Sequence, residues 1–96
     1  MPWFVYILRC NDGSYYVGHT EDVPTRVQRH LDGTGAVWTT ARRPVTLVFE
    51  EKHPTQAAAV ARERQVKRWS RHKKEALISG KVTTLKALSR CRGFHG

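Results

Sequence analysis

The hydrophobic pattern of the first half of the chain predicts three strands and one helix. Residues 3–8 form a continuous apolar run, which is typical of a strand buried on both faces. Residues 15–20 are rich in aromatic and β-branched side chains, and apolar and polar positions alternate over residues 45–51. Over residues 24–31 apolar side chains recur with helical spacing, so this segment is predicted to be a helix.

The Asn-Asp-Gly segment between the first two runs predicts a β-hairpin whose register depends on the length of its loop. A three-residue loop with Gly13 in the left-handed conformation places Tyr6 and Tyr16 on the same face of the sheet. A two-residue Asp-Gly loop shifts the register by one residue and places them on opposite faces. The local pattern is compatible with both loops.

The second half of the chain is predicted to be mostly helical. Pro54 and Thr55 open a helix that extends to about residue 69, and Ser70 can cap a helix over residues 71–78. A short last helix is predicted over residues 84–90. A Gly-rich loop is expected from the end of the first helix to the third strand.

The resulting order, β-β-α-β-α-α-α, predicts one α/β (α+β) domain over residues 1–96 in which helices flank a three-stranded sheet. Its core spans about residues 3–78, and a short helix and tail occupy residues 81–96.

Basic residues are concentrated in the second half of the chain. The formal net charge is +9, from 17 Lys and Arg against eight Asp and Glu. Residues 52–96 hold twelve basic residues and only two acids, Glu63 and Glu75. This asymmetry favours a polyanionic partner, most simply nucleic acid, over a basic surface without a ligand.

Several other classes of protein are disfavoured. No apolar run approaches the roughly 18–20 residues of a membrane span, and the N-terminal segment lacks the features of a signal peptide. Cys10 and Cys91 lie far apart without the spacing of metal ligands. We therefore expect a cytoplasmic monomer with two free thiols, no membrane partner and no disulfide-linked partner.

The first helix carries candidate phosphate-binding chemistry. Its predicted apolar stripe consists of Val23, Val27 and Leu31. Arg26 and His30 lie at the edge of this stripe, and Arg29 points further toward water. Arg26 either extends from the edge of the core or clamps a phosphate with its planar charged group.

Two further polar residues have more than one interpretation. Glu63 is the one acid of the longer helix and lies on its partly apolar face. It forms either an ion pair with Lys67, four residues later, or an oxygen ligand for Mg²⁺. His19 ends the second strand, where it is either a general acid or base or a polar edge residue.

Taken together, these residues resemble the GIY-YIG nuclease superfamily. The VYI segment at residues 5–7 corresponds to the first motif, with Val5 in place of Gly, and YVG at residues 16–18 corresponds to the second. Arg26 lies on the following helix and Glu63 on the later one. Features similar to the small stand-alone bacterial branch lie at residues 6–10, 12–14, 42–44 and 66–70.

The resemblance implies a mostly antiparallel sheet, the three-residue hairpin loop and a Mg²⁺-dependent endonuclease. By this resemblance Glu63 holds a single Mg²⁺, Tyr6 acts as general base and Tyr16 positions water or phosphate. Arg26 neutralises charge on the phosphate, and His19 assists the tyrosine. We expect Tyr6, Tyr16, Arg26 and Glu63 to converge on one concave surface.

The expected substrate is DNA rather than RNA, recognised by structure rather than by sequence. The residues expected to contact nucleic acid are Arg29, His30, Trp38, Arg42, Arg43, Arg62 and Lys67. Trp38 either stacks on a base or fills the core, whereas Trp69 is expected in the core. The alternatives are a nucleic-acid-binding module with little catalysis and, third, a module that docks an acidic protein.

Overall fold

In the computed structural model, which describes residues 1–79 apart from one side chain at position 37, a three-stranded antiparallel sheet forms the centre of the protein. Strand β1 (Trp3–Cys10) lies between β2 (Tyr15–Thr20) and β3 (Val45–His53). The helices are α1 (Val23–Asp32), α2 (Val37–Thr40), α3 (Gln56–Lys67) and α4 (Arg71–Ile78). The predicted α+β class is confirmed, and the helix predicted over residues 84–90 lies outside the described residues.

Strand β1 is buried on both faces, as its continuous apolar run predicts. Val5 and Ile7 point to one face, where they pack with residues of α3 and α4. Tyr6 and Leu8 point to the other face, where Val27 of α1 packs against them. None of these four β1 side chains is more than 1% exposed. The sheet is therefore covered by helices on both sides.

The β1–β2 hairpin has the three-residue loop. The backbone N–H of Cys10 donates to the carbonyl oxygen of Ser14 at 2.8 Å, and the N–H of Gly13 donates to Cys10 at 2.9 Å. Gly13 has φ 84°, the left-handed conformation that a side chain disfavours. This loop fixes the register that the local sequence pattern leaves open.

The register places both candidate tyrosines on the same face. Tyr6 lies opposite Gly18, and Leu8 lies opposite Tyr16. The rings of Tyr6 and Tyr16 are consequently neighbours, with centroids 6.4 Å apart. The family resemblance predicts a three-residue hairpin loop with both tyrosines on one face, and this prediction is confirmed.

The helix boundaries follow local capping chemistry. The side chains of Asp22, Thr55 and Ser70 each accept a hydrogen bond from a backbone N–H in the first turn of α1, α3 and α4. Gly33 ends α1 with φ 83°. Within residues 1–79, none of the helices combines the length and the apolar character needed to cross a membrane.

Helix α1 buries a different residue from the one that its apolar stripe predicts. Leu31 is 38% exposed, whereas the neighbouring His30 is 1% exposed. The imidazole finds polar partners at both ring nitrogens inside the protein, so its burial leaves no unpaired group. The helix is thus rotated toward the histidine.

The segment before β3 is also more ordered than the predicted Gly-rich loop. It contains the single turn of α2, in which the hydroxyl groups of Thr39 and Thr40 donate to the carbonyl oxygen of Ala36 at 2.9 and 3.0 Å. Thr39 is fully buried. Two side-chain hydrogen bonds therefore support a turn that has little apolar content of its own.

Substitution of Gly13 tests the conformation of the hairpin loop. A Cβ at Gly13 meets only the end of the Arg71 side chain, at 3.9 Å, so the cost of Gly13→Ala is conformational rather than steric. We expect a loss of about 1 kcal/mol in the free energy of unfolding, measured by urea denaturation. Gly13→Asn should lose less, because Asn tolerates this conformation better; equal stability of all three proteins would contradict the assigned loop.

Candidate active site

The phenol of Tyr6 occupies the space left by the missing side chain of Gly18. An added Cβ at Gly18 would lie 2.6 Å from the Tyr6 hydroxyl oxygen and 2.7 Å from the ring carbon that carries it. Real Cβ atoms do not approach so closely. Glycine is thus required here for space, and the Tyr6 side chain crosses the adjacent edge strand β2.

Tyr6 is part of a buried chain of hydrogen bonds. Its hydroxyl oxygen lies 3.1 Å from Nε2 of His30, and Nδ1 of His30 lies 2.7 Å from the hydroxyl oxygen of Thr39. The single proton of the Thr39 hydroxyl is donated to the carbonyl oxygen of Ala36. His30 must therefore donate from Nδ1, which leaves Nε2 free to accept the Tyr6 proton.

Burial determines the charge states of Tyr6 and His30 in this series of hydrogen bonds. Burial raises the pKa of Tyr6, the neighbouring Tyr16 raises it further, and Arg26 opposes the shift. Burial also lowers the pKa of His30, and the positive charge of Arg26 adds to this effect. At neutral pH Tyr6 is therefore a neutral phenol that donates to a neutral imidazole.

A cleft of about 290 Å³ lies beside the hydrogen-bonded Tyr6 and His30, between α1 and the loop that precedes α2. Tyr16, Arg26, Arg29 and His30 line it. Arg26 and Arg29 also line a second cleft of about 220 Å³ toward Trp3. The two arginines therefore separate two neighbouring cavities, an arrangement suited to contacts with successive phosphate groups.

Glu63 lies on the other face of the sheet. Its carboxylate is 2.5 Å from Nδ1 of His19 and 2.6 Å from Nζ of Lys67, and its side chain is 14% exposed. Burial alone would raise the pKa of Glu63, but the hydrogen bonds from Lys67 and His19 outweigh burial and lower it. The carboxylate is therefore ionised at neutral pH.

Glu63 and Tyr6 lie on opposite faces of the sheet. Tyr6 and Tyr16 point to the α1 face, whereas His19 lies opposite Val5 and points with it to the α3 face. The negative charge of Glu63 nevertheless contributes to the raised pKa of Tyr6. Two groups of candidate residues thus flank strand β2 near Gly18, instead of sharing one face of the sheet.

The donor set around Glu63 fits a hard cation with few protein ligands. Residues 1–79 contain no group of three or more His, Cys, Asp or Glu side chains that could hold a metal ion. Mg²⁺ commonly uses one or two carboxylates and completes its shell with water and substrate phosphate. An ionised, half-buried carboxylate such as Glu63 fits that mode.

Three of the residues predicted to contact nucleic acid also make contacts within the protein. Arg62 donates from Nε to Glu51 at 2.9 Å, and Lys67 pairs with Glu63. Arg43 donates from Nε to the carbonyl oxygen of Thr40 at 3.0 Å. Arg62 and Lys67 therefore stabilise α3, and Arg43 braces the segment before β3.

Other residues predicted to contact nucleic acid differ in how far they are exposed. His30 is buried beneath the cleft, which does not fit a direct contact with nucleic acid. Arg29 is exposed at the rim of both clefts. Trp38 is 39% exposed and lies beside Tyr16, so it does not fill the core, whereas Trp69 packs against the core as predicted.

Two positions that sequence reasoning missed support His30. Thr39 holds its Nδ1 atom, and an added Cβ at Gly35 would lie 2.7 Å from the same atom. Gly35 must therefore lack a side chain for the histidine to fit. The Gly-rich composition of this segment was visible in the sequence, but its packing against α1 was not.

Most of the chain matches a protein-family model. The model of the GIY-YIG catalytic domain matches residues 2–76. The chain belongs to the GIY-YIG family. GIY-YIG domains are nuclease domains, and nucleases of this family generally use divalent metal ions.

Small UPF0213 proteins resemble this chain over most of its length. A UPF0213 protein of Staphylococcus aureus is 48% identical over 75 residues, which cover 78% of this chain and 92% of the relative. The NMR structure of the UPF0213 protein BH0048 from Bacillus halodurans is 46% identical, covers 84% of this chain and 86% of its own, and has a TM-score of 0.55. The NMR structure of the protein EF2693 from E. faecalis is 31% identical over 100% of this chain and 95% of its own, with a TM-score of 0.56.

The buried state of His30 predicts a dependence of stability on pH. Its folded-state pKa is lowered from the usual value of about 6.5. Below that pH the unfolded chain binds a proton that the folded protein does not, so stability falls as the pH drops. This one group contributes a slope of at most about 1.4 kcal/mol per pH unit.

Urea denaturation between pH 5 and pH 8 measures that slope. His30→Gln should flatten the loss of stability toward pH 5, whatever its effect on stability at pH 8. The control is His72→Gln, because His72 is exposed on α4. The same slope in His30→Gln as in the wild type would contradict the burial of a neutral imidazole.

Proposed function

We propose that the protein is a Mg²⁺-dependent endonuclease that hydrolyses phosphodiester bonds of DNA and selects its substrate by structure rather than by sequence. The observation that carries this proposal is the hydrogen bond from Tyr6 to a neutral His30 beside Arg26. Phosphodiester hydrolysis needs an activated water molecule and stabilisation of the developing negative charge. We assign the first role to Tyr6 with His30, beside the cleft, and the second to Arg26 in its lining.

Tyr6 and His30 act together on the attacking water. The raised pKa of Tyr6 makes a free phenolate costly at neutral pH. With His30 as partner no phenolate needs to accumulate: Tyr6 accepts a proton from water at its hydroxyl oxygen while it passes its own proton to Nε2 of His30. The buried histidine becomes an imidazolium only during the reaction, and Thr39 keeps its ring oriented.

Arg26 and Tyr16 act on the phosphate. The guanidinium of Arg26 presents fixed donors and a permanent positive charge toward both clefts. These donors stabilise the negative charge that develops on the phosphate oxygens as water attacks. Tyr16 shares the larger cleft with Arg26 and positions water or phosphate with its hydroxyl group, while Arg29 contacts a flanking phosphate.

Glu63 is the residue that would hold a single Mg²⁺, which would polarise the phosphate and stabilise the leaving oxygen. His19 and Lys67 keep the carboxylate ionised and oriented. His19 contacts Glu63 rather than Tyr6, so it acts on the tyrosine only through the carboxylate.

The chemistry of the cleft supports selection by structure. Guanidinium and hydroxyl groups line it, and when such groups contact phosphate and sugar those contacts carry no base-sequence information. The choice of DNA over RNA, the cytoplasmic location and the monomeric state stay predictions.

One observation favours a second function, a nucleic-acid-binding module with little catalysis. Both carboxylate oxygens of Glu63 are engaged, Oε1 by His19 and Oε2 by Lys67. A cation must displace or share these partners, which weakens its binding. The net charge of +9 supports nucleic-acid binding with or without cleavage.

Substitution of Glu63 separates the two functions. Glu63→Gln keeps the shape of the side chain and removes its charge, so nicking of plasmid DNA in Mg²⁺ should fall by roughly 100-fold or more. The matched control is Glu50→Gln, because Glu50 is exposed on β3. The assay compares plasmid, branched and single-stranded DNA, and RNA, with and without Mg²⁺.

Cleavage by Glu63→Gln at the wild-type rate would exclude the proposed mechanism. If the wild-type protein binds DNA with a steep dependence on salt but does not cleave it, the binding module is favoured.

A further inference from the structure

Trp38 exposes a large apolar surface beside the candidate active site. Among residues 1–79, the exposed large hydrophobic side chains are Met1, Leu31 and Trp38. Trp38 lies on the single turn of α2 and is 39% exposed, so burial does not explain an aromatic side chain at this position. An exposed aromatic ring next to a catalytic cleft indicates a contact with substrate.

Trp38 continues a stack that begins at Tyr16. The rings of Tyr16 and Trp38 lie 6.0 Å apart with an angle of 29° between their planes. The guanidinium carbon of Arg42 lies 4.0 Å from the centre of the Trp38 ring. The Tyr16 ring, the Trp38 indole and the Arg42 guanidinium therefore lie next to one another, and these three groups are called the column below.

Arg42 is held with its planar face over the indole. Its Nε donates to Asp12 at 3.2 Å, and its Nη1 donates to the carbonyl oxygen of Trp38 at 2.9 Å. Asp12 is itself fixed by the hydroxyl group of Ser14. Two guanidinium nitrogens are thus occupied and an adjacent carboxylate offsets the charge, so the planar face is the main feature that Arg42 presents to a ligand.

The column is also fixed relative to the catalytic groups. Thr39, the residue after Trp38, is buried and hydrogen-bonded to His30. His30 is in turn hydrogen-bonded to Tyr6. The position of the indole is therefore coupled to the position of the proposed general base. A nucleotide that stacks on the column is held at a defined place beside the cleft.

From this arrangement we infer that Trp38 and Arg42 form a stacking surface for an unpaired base next to the scissile phosphate. The inference rests on the proposed nuclease function and names its substrate class: DNA with single-stranded nucleotides at the cleavage site. In an intact duplex both faces of a base are covered by its neighbours, whereas an unpaired base can stack on aromatic rings and guanidinium planes.

The experiment measures binding to three DNA probes without Mg²⁺: a blunt duplex, a single strand and a splayed junction. A 2-aminopurine base in each probe reports stacking by its fluorescence. Trp38→Ala should weaken binding to the single strand and the junction by roughly 5- to 150-fold and abolish the fluorescence change. Binding to the duplex should change less than about twofold, because stacking contributes nothing there.

Two further variants separate stacking from charge and from folding. Arg42→Lys keeps the positive charge but loses the planar group, so it should also weaken binding to the unpaired probes. Trp38→Phe should restore most of the binding. Leu31→Ala is the matched control, since it removes a comparably exposed apolar side chain on α1 and should leave all three affinities unchanged.

Equal losses for duplex and unpaired probes in Trp38→Ala, or no loss in either, would overturn the inference. Wild-type affinity of Arg42→Lys for the single strand would also contradict it. Cleavage of the same probes in Mg²⁺ separates this inference from the proposed function. Cleavage without Trp38-dependent preference rejects the stacking surface alone, whereas Trp38-dependent binding without cleavage rejects the nuclease alone.

Discussion

The buried hydrogen bond between Tyr6 and His30 is the interaction on which the rest of the site depends. It needs a glycine on the neighbouring strand, because Gly18 leaves the space that the phenol fills. It also needs the buried hydroxyl of Thr39, which holds the imidazole in one tautomer. Residues of the central strand, the edge strand, helix α1 and the turn of α2 therefore all contribute to this buried chain of hydrogen bonds.

The hydrogen bond between Tyr6 and His30 lowers the free-energy cost of burying both side chains. An imidazole and a phenol are costly to bury when unpaired, but each satisfies the other here. The same low-dielectric surroundings keep both groups neutral at rest and bring a proton acceptor next to a proton donor. Burial thus places a proton acceptor against the Tyr6 hydroxyl group, an arrangement that a solvent-exposed tyrosine does not have.

Sequence patterns predicted the strands and the starts of α3 and α4, because these depend on local chemistry, whereas the motif residues were identified through the family resemblance. They could not decide the hairpin register, which depends on the conformation of Gly13, and they placed Leu31 rather than His30 in the core. The burial of His30 depends on Thr39 and Gly35 from a distant loop. Likewise, spacing alone could not show that Glu63 approaches from the opposite face of the sheet.

The tautomer of His30 is the most direct test of the central claim. A long-range ¹H–¹⁵N NMR spectrum at neutral pH distinguishes a protonated ring nitrogen from an unprotonated one. The structure predicts a proton on Nδ1, bonded to Thr39, and a free Nε2 that accepts from Tyr6. In Tyr6→Phe the Nε2 signal should shift, since its donor is removed. A proton on Nε2 in the wild-type protein would contradict the proposed proton transfer.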